Sequence, residues 1–325
     1  MRARWIVIAL ALVGALSTAG CGGDSGGGAD KGEAVTLKVG VLPIADVAPL
    51  YLGVDKGFFK DEKLTIKPQV LQGGAEVTAA VVSGDADFGF SATSPLIVAK
   101  SKNVPVEIVT QGNQAAATEA DAWDGLMVKK GSSIRTVKDL EGKTVAVNAL
   151  KSMPELTARA FLDGKGVDVD KVKFIEVPFP EMTAALEGDR VDAATAVEPF
   201  VTQAKAGGAR SLGSYLTGLE PKLTVGTYFS STPYIQKNGD VAERFAKAMN
   251  RSLEYAQTHP DEARKAVTGY TEIPAKAAQA MKLSLWSSDL NPSSIELVSD
   301  QAEKFGFVTQ QPDVDDLIWD GAGDK

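Results

Sequence analysis

From Thr36 onward, short runs of β-branched residues alternate with amphipathic stretches, and this alternation constrains the fold more than any other feature. Such a pattern is typical of βα units arranged around largely parallel sheets. It predicts two blocks and therefore an α/β fold. The first block has strands at 37–41, 65–69, 87–90 and 106–111 and helices at 47–56, 75–83 and 95–100. The second has strands at 125–129, 144–148, 172–177, 191–195 and 210–212 and helices at 153–165, 181–187 and 199–206. A further strand at 223–229 precedes almost entirely helical sequence, including 241–258.

Two segments, one from each block, resemble each other: 76–87 (EVTAAVVSGDAD) and 181–192 (EMTAALEGDRVD). Each predicts a helix, a glycine stop and a strand. Gly84 and Gly188 suit the left-handed residue that ends a helix, because a residue without Cβ meets no clash there. We interpret the two blocks as two similar lobes; chance recurrence of Ala-rich helices is the alternative.

Length and charge exclude several classes of protein. A chain of 325 residues is too long for one small core and suits two lobes. Its 34 basic and 42 acidic residues give a net charge of −8, which argues against a nucleic-acid-binding surface. Apolar residues at 44% and charged residues at 23% are near the average for soluble proteins, which excludes disordered, collagenous and polytopic membrane classes.

The N-terminus has the layout of a secretory signal. Arg2 and Arg4 precede an uncharged stretch over 5–23, whose apolar centre at 6–16 is shorter than the roughly 20 residues of a membrane-spanning helix. Residues 18–21 (TAGC) resemble a bacterial lipobox, which implies a diacylglycerol group on Cys21. We therefore predict a signal peptide at 1–20, a lipidated Cys21 with a flexible tether over 21–34, and localisation on the extracytoplasmic side of the cell membrane. A chance Cys in a plain signal peptide is the alternative.

Catalytic and metal chemistry lack the residues they need. His259 is the only His and Cys21 the only Cys, so neither a nucleophile–base pair nor a zinc site can be assembled. No Walker loop and no GxGxxG after a strand occur. We expect no catalytic residue, no metal and no cofactor, and we interpret His259 as a surface residue at a helix end.

Polar loops at the carboxyl ends of predicted strands are the candidate binding site, since open α/β sheets bind ligands there. The candidate ligand-binding residues are Ile44, Ala45, Asp46, Gly73, Gly74, Ser91, Thr93, Ser94, Asn148, Lys151, Ser152 and Glu198. Aromatic residues that could line the same cleft are Tyr51, Phe90, Trp123, Phe200 and Tyr228.

Each candidate has a purely structural alternative. Asp46 and Ser94 could be helix N-caps, and Ser152 with Glu155 reads as a capping box. Lys151 could be a solvated charge, Gly73 and Gly74 a turn, and the aromatic residues core.

The order of several segments resembles the solute-binding lipoproteins of nitrate/sulfonate/taurine-type ABC importers. The segments are 57–64 (GFFKDEKL), 72–74 (QGG), 83–89 (SGDADFG), 94–95 (SP) and 139–147 (DLEGKTVAV). The resemblance covers most of residues 36–320.

The resemblance implies a periplasmic-binding-protein-like fold with two βα lobes joined by a two-strand hinge. It places lobe I at 35–112 and 225–325 and lobe II at 113–224, with hinge crossings near 111–113 and 224–228. It implies capture of a small-molecule solute and delivery to a membrane permease with its ATPase. A lipid-anchored sensor and a pyrimidine-synthase-like enzyme are alternatives, although the enzyme would need an active-site His where this chain has none. The solute stays open among nitrate, bicarbonate, aliphatic sulfonates, pyrimidines and aromatic acids.

Overall fold

Two five-stranded sheets organise the chain in the computed structural model, which describes residues 32–322. The predicted signal peptide, Cys21 and residues 22–31 of the predicted tether lie outside the described residues. Among the residues that are described, no helix is both long enough and apolar enough to span a membrane.

The first sheet, that of lobe I, contains strands from both ends of the described chain. Its strands are β1 (Val35–Val41), β2 (Leu64–Val70), β3 (Phe88–Ala92), β4 (Val106–Gln114) and β10 (Thr224–Ser231), in the order β2-β1-β3-β10-β4. β1 pairs in parallel with β2 and β3, whereas β10 is antiparallel to β3 and β4. The helices of this half are α1 (Ala48–Asp55), α2 (Phe58–Asp61), α3 (Gly74–Ser83) and α4 (Thr93–Lys100), followed after β10 by α8 (Thr232–Lys237), α9 (Gly239–Thr258), α10 (Pro260–Val267), α11 (Ala275–Ala280) and α12 (Pro292–Lys304).

The second sheet, that of lobe II, follows the same plan. Its strands are β5 (Asp124–Val128), β6 (Thr144–Val147), β7 (Lys173–Glu176), β8 (Ala193–Val197) and β9 (Arg210–Ser211), in the order β7-β6-β8-β5-β9. The β6 strand is parallel to β7 and β8, and β5 is antiparallel to β8. The helices are α5 (Met153–Gly164), α6 (Phe179–Glu187) and α7 (Phe200–Ala206).

The similarity between segments 76–87 and 181–192 corresponds to equivalent places in the two sheets. Each segment forms a helix, α3 or α6, that leads into the third strand of its sheet in the order given above. The segments also end alike, because Asp87 accepts the backbone N–H of Lys38 at 2.8 Å and Asp192 accepts that of Thr144 at 2.9 Å. These contacts support the interpretation of two similar lobes.

The two helix stops are not built identically. Gly84 takes the predicted left-handed conformation, with φ +81°. Gly188 does not, since its φ is −84°, and the prediction is wrong there. The left-handed residue after α6 is instead Asp189, with φ +57°, and the N–H of the next residue, Arg190, donates to the oxygen of Ala185 at 3.0 Å.

The chain passes between the lobes at two crossings, which lie beside each other. Immediately after β4, the N–H of Ala115 donates to the oxygen of Leu223 at 2.9 Å, just before β10 begins. The backbone N–H of Lys222, on the second crossing, donates to the backbone oxygen of Ala116, on the first crossing, at 3.3 Å. The Trp123 indole N–H also donates to the backbone oxygen of Gln114, at 3.1 Å. The crossings therefore form a short two-stranded connection.

The C-terminal helices complete lobe I. The predicted helix at 241–258 lies within α9, and its predicted apolar face, including Phe245 and Leu253, is buried. Phe245 stacks on Phe88 of β3 with ring centroids 4.2 Å apart, so α9 covers one face of the first sheet. His259, as predicted, is exposed at the end of α9, and its Nδ1 lies 2.9 Å from the oxygen of Tyr255.

Candidate functional site

A cavity lies between the lobes at the carboxyl ends of the parallel strands. Its volume is about 50 Å³, and a single water molecule needs about 10 to 15 Å³ on the same measure, so this arrangement of the lobes encloses room for a small molecule only. Lobe I contributes Leu42, Ile44, Asp46, Gly74, Phe90, Ala92, Pro95, Val225 and Gly226. Lobe II and the first crossing contribute Trp123, Asn148, Ser152, Met153, Pro154, Phe179, Val197, Tyr215 and Leu216.

The lining is mostly apolar and aromatic. Phe90, Trp123, Phe179 and Tyr215 supply large ring surfaces. The Tyr215 hydroxyl and the Trp123 indole N–H both donate to backbone oxygens. The other polar side chains are those of Asp46, Asn148 and Ser152, and none of the described lining residues is Lys, Arg or His.

Asp46 is the charged group of the cavity, and it is 3% exposed. It lies in a 3-10 turn at Ala45–Val47 between β1 and α1, and its side chain caps neither the turn nor α1, so the capping alternative is not observed. Its Oδ1 accepts the hydroxyl of Ser284 at 2.9 Å. Burial raises the pKa of Asp46 to about 7, although hydrogen bonds from Ser284 and Asn113 oppose the rise.

A second buried carboxylate fixes one aromatic wall. Asp124, at the start of β5, accepts the Ser214 hydroxyl at 2.6 Å and the backbone N–H groups of Tyr215 and Leu216 at 2.9 and 3.1 Å. Burial raises the pKa of Asp124 to about 6. The Tyr215 hydroxyl donates to the oxygen of Ala196 at 3.2 Å, so both ends of this side chain are held.

Gly74 lines the cavity because no side chain fits there. A Cβ on Gly74 would lie 2.4 Å from the Ser91 hydroxyl oxygen and 3.0 Å from Pro95. Ser91 lies beneath Gly74 and is not part of the lining. Gly73 instead faces the other lobe, where the Ala149 side chain would lie 3.7 Å from a Cβ at this position.

Thr93 and Ser94 are buried but do not line the cavity. The Thr93 hydroxyl lies 3.4 Å from the oxygen of Thr224 and 3.7 Å from the sulfur of Met153, which joins α4 to lobe II. Ser94 does not cap α4, and its hydroxyl oxygen has no hydrogen-bond partner in the described residues.

Of the three predicted site residues in the loop after β6, two line the cavity and one does not. Asn148 lines the cavity, and its Oδ1 is buried without a hydrogen-bond partner. Ser152 also lines the cavity, and its hydroxyl caps α5 by accepting the N–H of Glu155 at 3.5 Å. The reciprocal half of the predicted capping box is not formed, because the Glu155 carboxylate accepts the N–H of Lys151 at 2.7 Å. Lys151 is exposed and does not line the cavity.

Glu198 joins the lobes instead of lining the cavity. Its carboxylate accepts the N–H and hydroxyl of Thr202 at 3.0 and 2.8 Å, and the N–H of Lys282 from the C-terminal half at 3.2 Å. Its backbone oxygen accepts the N–H of Ala45 at 3.0 Å. The predicted site residue Ala45 therefore contacts the other lobe through its backbone and does not line the cavity. Burial raises the pKa of Glu198.

Two of the five predicted aromatic residues line the cavity. Phe90 and Trp123 line the cavity, whereas Tyr51, Phe200 and Tyr228 do not. Ile44 lines it, and its backbone oxygen accepts the hydroxyl of Tyr270, which stacks on Tyr51 at 4.0 Å.

Several lining residues were not among the predicted site residues. They are Leu42, Ala92, Pro95, Met153, Pro154, Phe179, Val197, Tyr215, Leu216, Val225 and Gly226. Phe179, which sits between two prolines at the start of α6, could have been found as an aromatic residue in a loop after a strand. Tyr215 could not, because its position depends on the distant Asp124.

The described residues contain no candidate metal site. Among residues 32–322, no group of three or more His, Cys, Asp or Glu side chains could hold a metal ion. His259 stacks on Tyr255 with centroids 3.8 Å apart and does not line the cavity.

Comparison with known proteins finds a matching family model and several similar proteins. Residues 44–263 match the family model described as NMT1/THI5 like. The taurine-binding periplasmic protein of Escherichia coli (strain K12) is 27% identical over 231 residues, which cover 71% of this chain and 69% of that protein. The 4-amino-5-hydroxymethyl-2-methylpyrimidine phosphate synthase of Candida albicans (strain WO-1) is 23% identical over 228 residues, 66% of this chain and 65% of that protein.

A solved structure shows the same fold. The ligand binding component of an ABC-type import system from Staphylococcus aureus, with zinc bound, has a TM-score of 0.76 at 16% identity and covers 87% of this chain and 96% of that chain. The predicted periplasmic-binding-protein-like fold is therefore confirmed.

Proposed function

Because the chain belongs to the NMT1/THI5-like family, we propose that it is the substrate-binding component of an ABC importer, which captures a small solute between its lobes and delivers it to a permease. The observation that carries this proposal is the small interlobe cavity, lined from both lobes and closed by contacts between them. Relatives named as binding proteins, among them the taurine-binding protein, support it.

Solute capture would follow from closure of lobe I, which contains the first sheet with β4 and β10, onto lobe II, which contains the second sheet. The contacts that Glu198 makes to Ala45 and Lys282 join the lobes directly beside the cavity. A solute that contacts both lobes favours the closed arrangement, because it binds that arrangement better than an open one. The short two-stranded connection at Ala115 and Leu223 is the place where the bending would occur.

The cleft would bind its solute without changing it. Although one relative is named as a pyrimidine phosphate synthase, the only His of the chain lies on the surface at the end of α9. Incubation of the full chain with a bound solute, followed by mass spectrometry, should return the solute intact, whereas a stoichiometric product would support the enzyme.

The remaining parts of the proposal concern the membrane. Lipidation of Cys21 and removal of residues 1–20 would hold the lobes on the extracytoplasmic side of the membrane, close to a permease and its ATPase. Stimulation of ATP hydrolysis by the liganded protein in reconstituted membranes would distinguish an importer subunit from a sensor.

Thermal unfolding of the full chain in mild detergent tests solute capture. The panel contains nitrate, bicarbonate, aliphatic sulfonates, pyrimidines and aromatic acids. A solute at 100 times its Kd stabilises the fold by about 2.7 kcal/mol, which is a rise of about 4 to 5 °C in Tm for a body of roughly 290 residues. A shift with one class supports the proposal, and no shift with any solute contradicts it.

A further inference from the structure

Two polar groups of the cavity, those of Asp46 and Asn148, keep hydrogen-bond acceptor sites without a donor; the Asn148 amide also carries two N–H donors. Asp46 presents a carboxylate with about four lone-pair sites, and within the described residues its side-chain hydrogen bonds come from Ser284 and Asn113. The Oδ1 of Asn148, from the other lobe, is buried and accepts no hydrogen bond within the described residues. The Ser152 hydroxyl is already used as the cap of α5. A buried acceptor without a donor costs free energy, so a solute that brings donors would remove this cost.

The charge around Asp46 also favours a donor-rich solute. No Lys, Arg or His is among the described residues that line the cavity. The titratable groups that act on Asp46, or on which it acts, are Asp124, Tyr215, Tyr228 and Tyr270, and none of them carries positive charge. An anion placed beside Asp46 would meet a carboxylate without a compensating cation, whereas a protonated base would supply the missing partner.

The aromatic walls suit the same kind of solute. Phe90, Trp123, Phe179 and Tyr215 present rings to the cavity, and the faces of such rings attract cations and stack on flat heterocycles.

Helix N-termini at the cavity provide the opposing consideration, because their free N–H groups favour anions. The helices α3, α4, α5 and α6 all begin at the cavity, and each N-terminus is partly occupied. At α3, Glu76 already accepts the N–H of Gln72 at 2.8 Å, which places a carboxylate at this helix end. At α4, Pro95 has no N–H to donate. At α5 the Ser152 hydroxyl accepts the N–H of Glu155, and Pro154 of α5 and Pro180 of α6 have no N–H to donate.

We infer that the cleft selects a small nitrogen base, neutral or protonated, that donates N–H hydrogen bonds to Asp46 of lobe I and Asn148 of lobe II, and that it discriminates against anions. This inference rests on the proposed function and names the chemical class of its solute. The buried carboxylate, with its pKa raised to about 7, would ionise fully when a protonated base binds.

Isothermal titration calorimetry on the full chain in mild detergent tests the inference with matched probes. Benzamidine and 2-aminopyrimidine represent nitrogen bases; benzoate, benzenesulfonate, methanesulfonate and nitrate represent anions. We expect saturable binding of at least one base and none of the anions. Asp46→Asn should weaken base binding by about ten-fold or more, because hydrogen bonds to charged groups are the stronger kind. Asp85→Asn makes the same chemical change at an exposed helix end and should leave binding unchanged.

A second pair of variants covers the case in which Asp46→Asn fails to fold. Asn148→Asp keeps an acceptor and adds negative charge, so it should tighten benzamidine binding, whereas Asn148→Leu should weaken it. Binding of an anion that Asp46→Asn preserves or tightens would overturn the inference and leave the proposed function standing. Absence of binding by every probe would overturn both.

Discussion

Replacing Asp46 by Asn should stabilise the solute-free protein at alkaline pH. Asp46 is 3% exposed, and burial raises its pKa from 3.8 to about 7. Between these two values the folded protein keeps a proton that the unfolded chain has released. The contribution of Asp46 to the free energy of unfolding is therefore largest below pH 3.8 and is lost as the pH rises through 7.

The magnitude follows from the same shift. One pKa unit corresponds to about 1.4 kcal/mol, so complete ionisation of Asp46 in the folded state costs about 4 kcal/mol relative to acidic pH. From pH 5 to pH 8 the loss is about 3 kcal/mol, or a fall of about 5 °C in Tm for a body of roughly 290 residues. An Asn at this position has no charge to bury and should not show this loss.

The assay is thermal unfolding of the full chain by circular dichroism at pH 5 and pH 8, without solute. The Tm of Asp46→Asn minus that of wild type should be about 5 °C more positive at pH 8 than at pH 5. The hydrogen bonds from Ser284 and Asn113 favour the ionised carboxylate, and their effect is already contained in the pKa of about 7. Asp85→Asn, an exposed substitution of the same kind, should give no pH-dependent difference. A difference for Asp46→Asn that is constant, or that falls with pH, would refute the reasoning.

Four further substitutions test other parts of the structure. Gly74→Ala should lower the free energy of unfolding by about 1 to 3 kcal/mol in urea titrations, since its Cβ would lie 2.4 Å from a hydroxyl oxygen, whereas Gly239→Ala enters open space and should change little. Glu198→Ala should weaken solute affinity several-fold in calorimetry because it removes an interlobe hydrogen bond; the idea fails if affinity is unaltered. Lys304→Ala breaks an interlobe ion pair that is about half exposed, so we expect a change in the free energy of binding of less than about 1 kcal/mol, and a larger loss would contradict this. Cys21→Ser should move the protein from the membrane to the soluble fraction on cell fractionation, and retention in the membrane would argue against lipidation.

The sheet elements could be predicted because each depends on local sequence. Short β-branched runs and an apolar repeat fixed the positions of β1, β6 and α9 to within a few residues. Differences arose where a single residue changed local geometry. Gly57, with φ +78°, is the N-cap of the short helix α2, which the periodicity did not predict. Likewise, Asp189 instead of Gly188 takes the left-handed conformation after α6.

The site was less accessible from the sequence because it is made by long-range contacts. The loops after β1 and β6 were predictable, since strand ends converge at one edge of a sheet, and these loops supply Asp46 and Asn148 to the cavity. The environment of Asp46 was not predictable. Ser284, which donates to its carboxylate, lies more than 200 residues further along the chain, in a C-terminal loop without a recognisable motif.

Stoichiometric binding in the interlobe cavity is the central claim, and calorimetry on a cavity-filled variant tests it most directly. The solute that raises the Tm of the full chain is titrated into wild type and into Ala92→Trp, which places a large side chain in the cavity lining. We predict one site per chain in wild type and no measurable binding to the variant, provided that the variant unfolds cooperatively. Equal affinity in both proteins would place the solute outside the cavity and contradict the account.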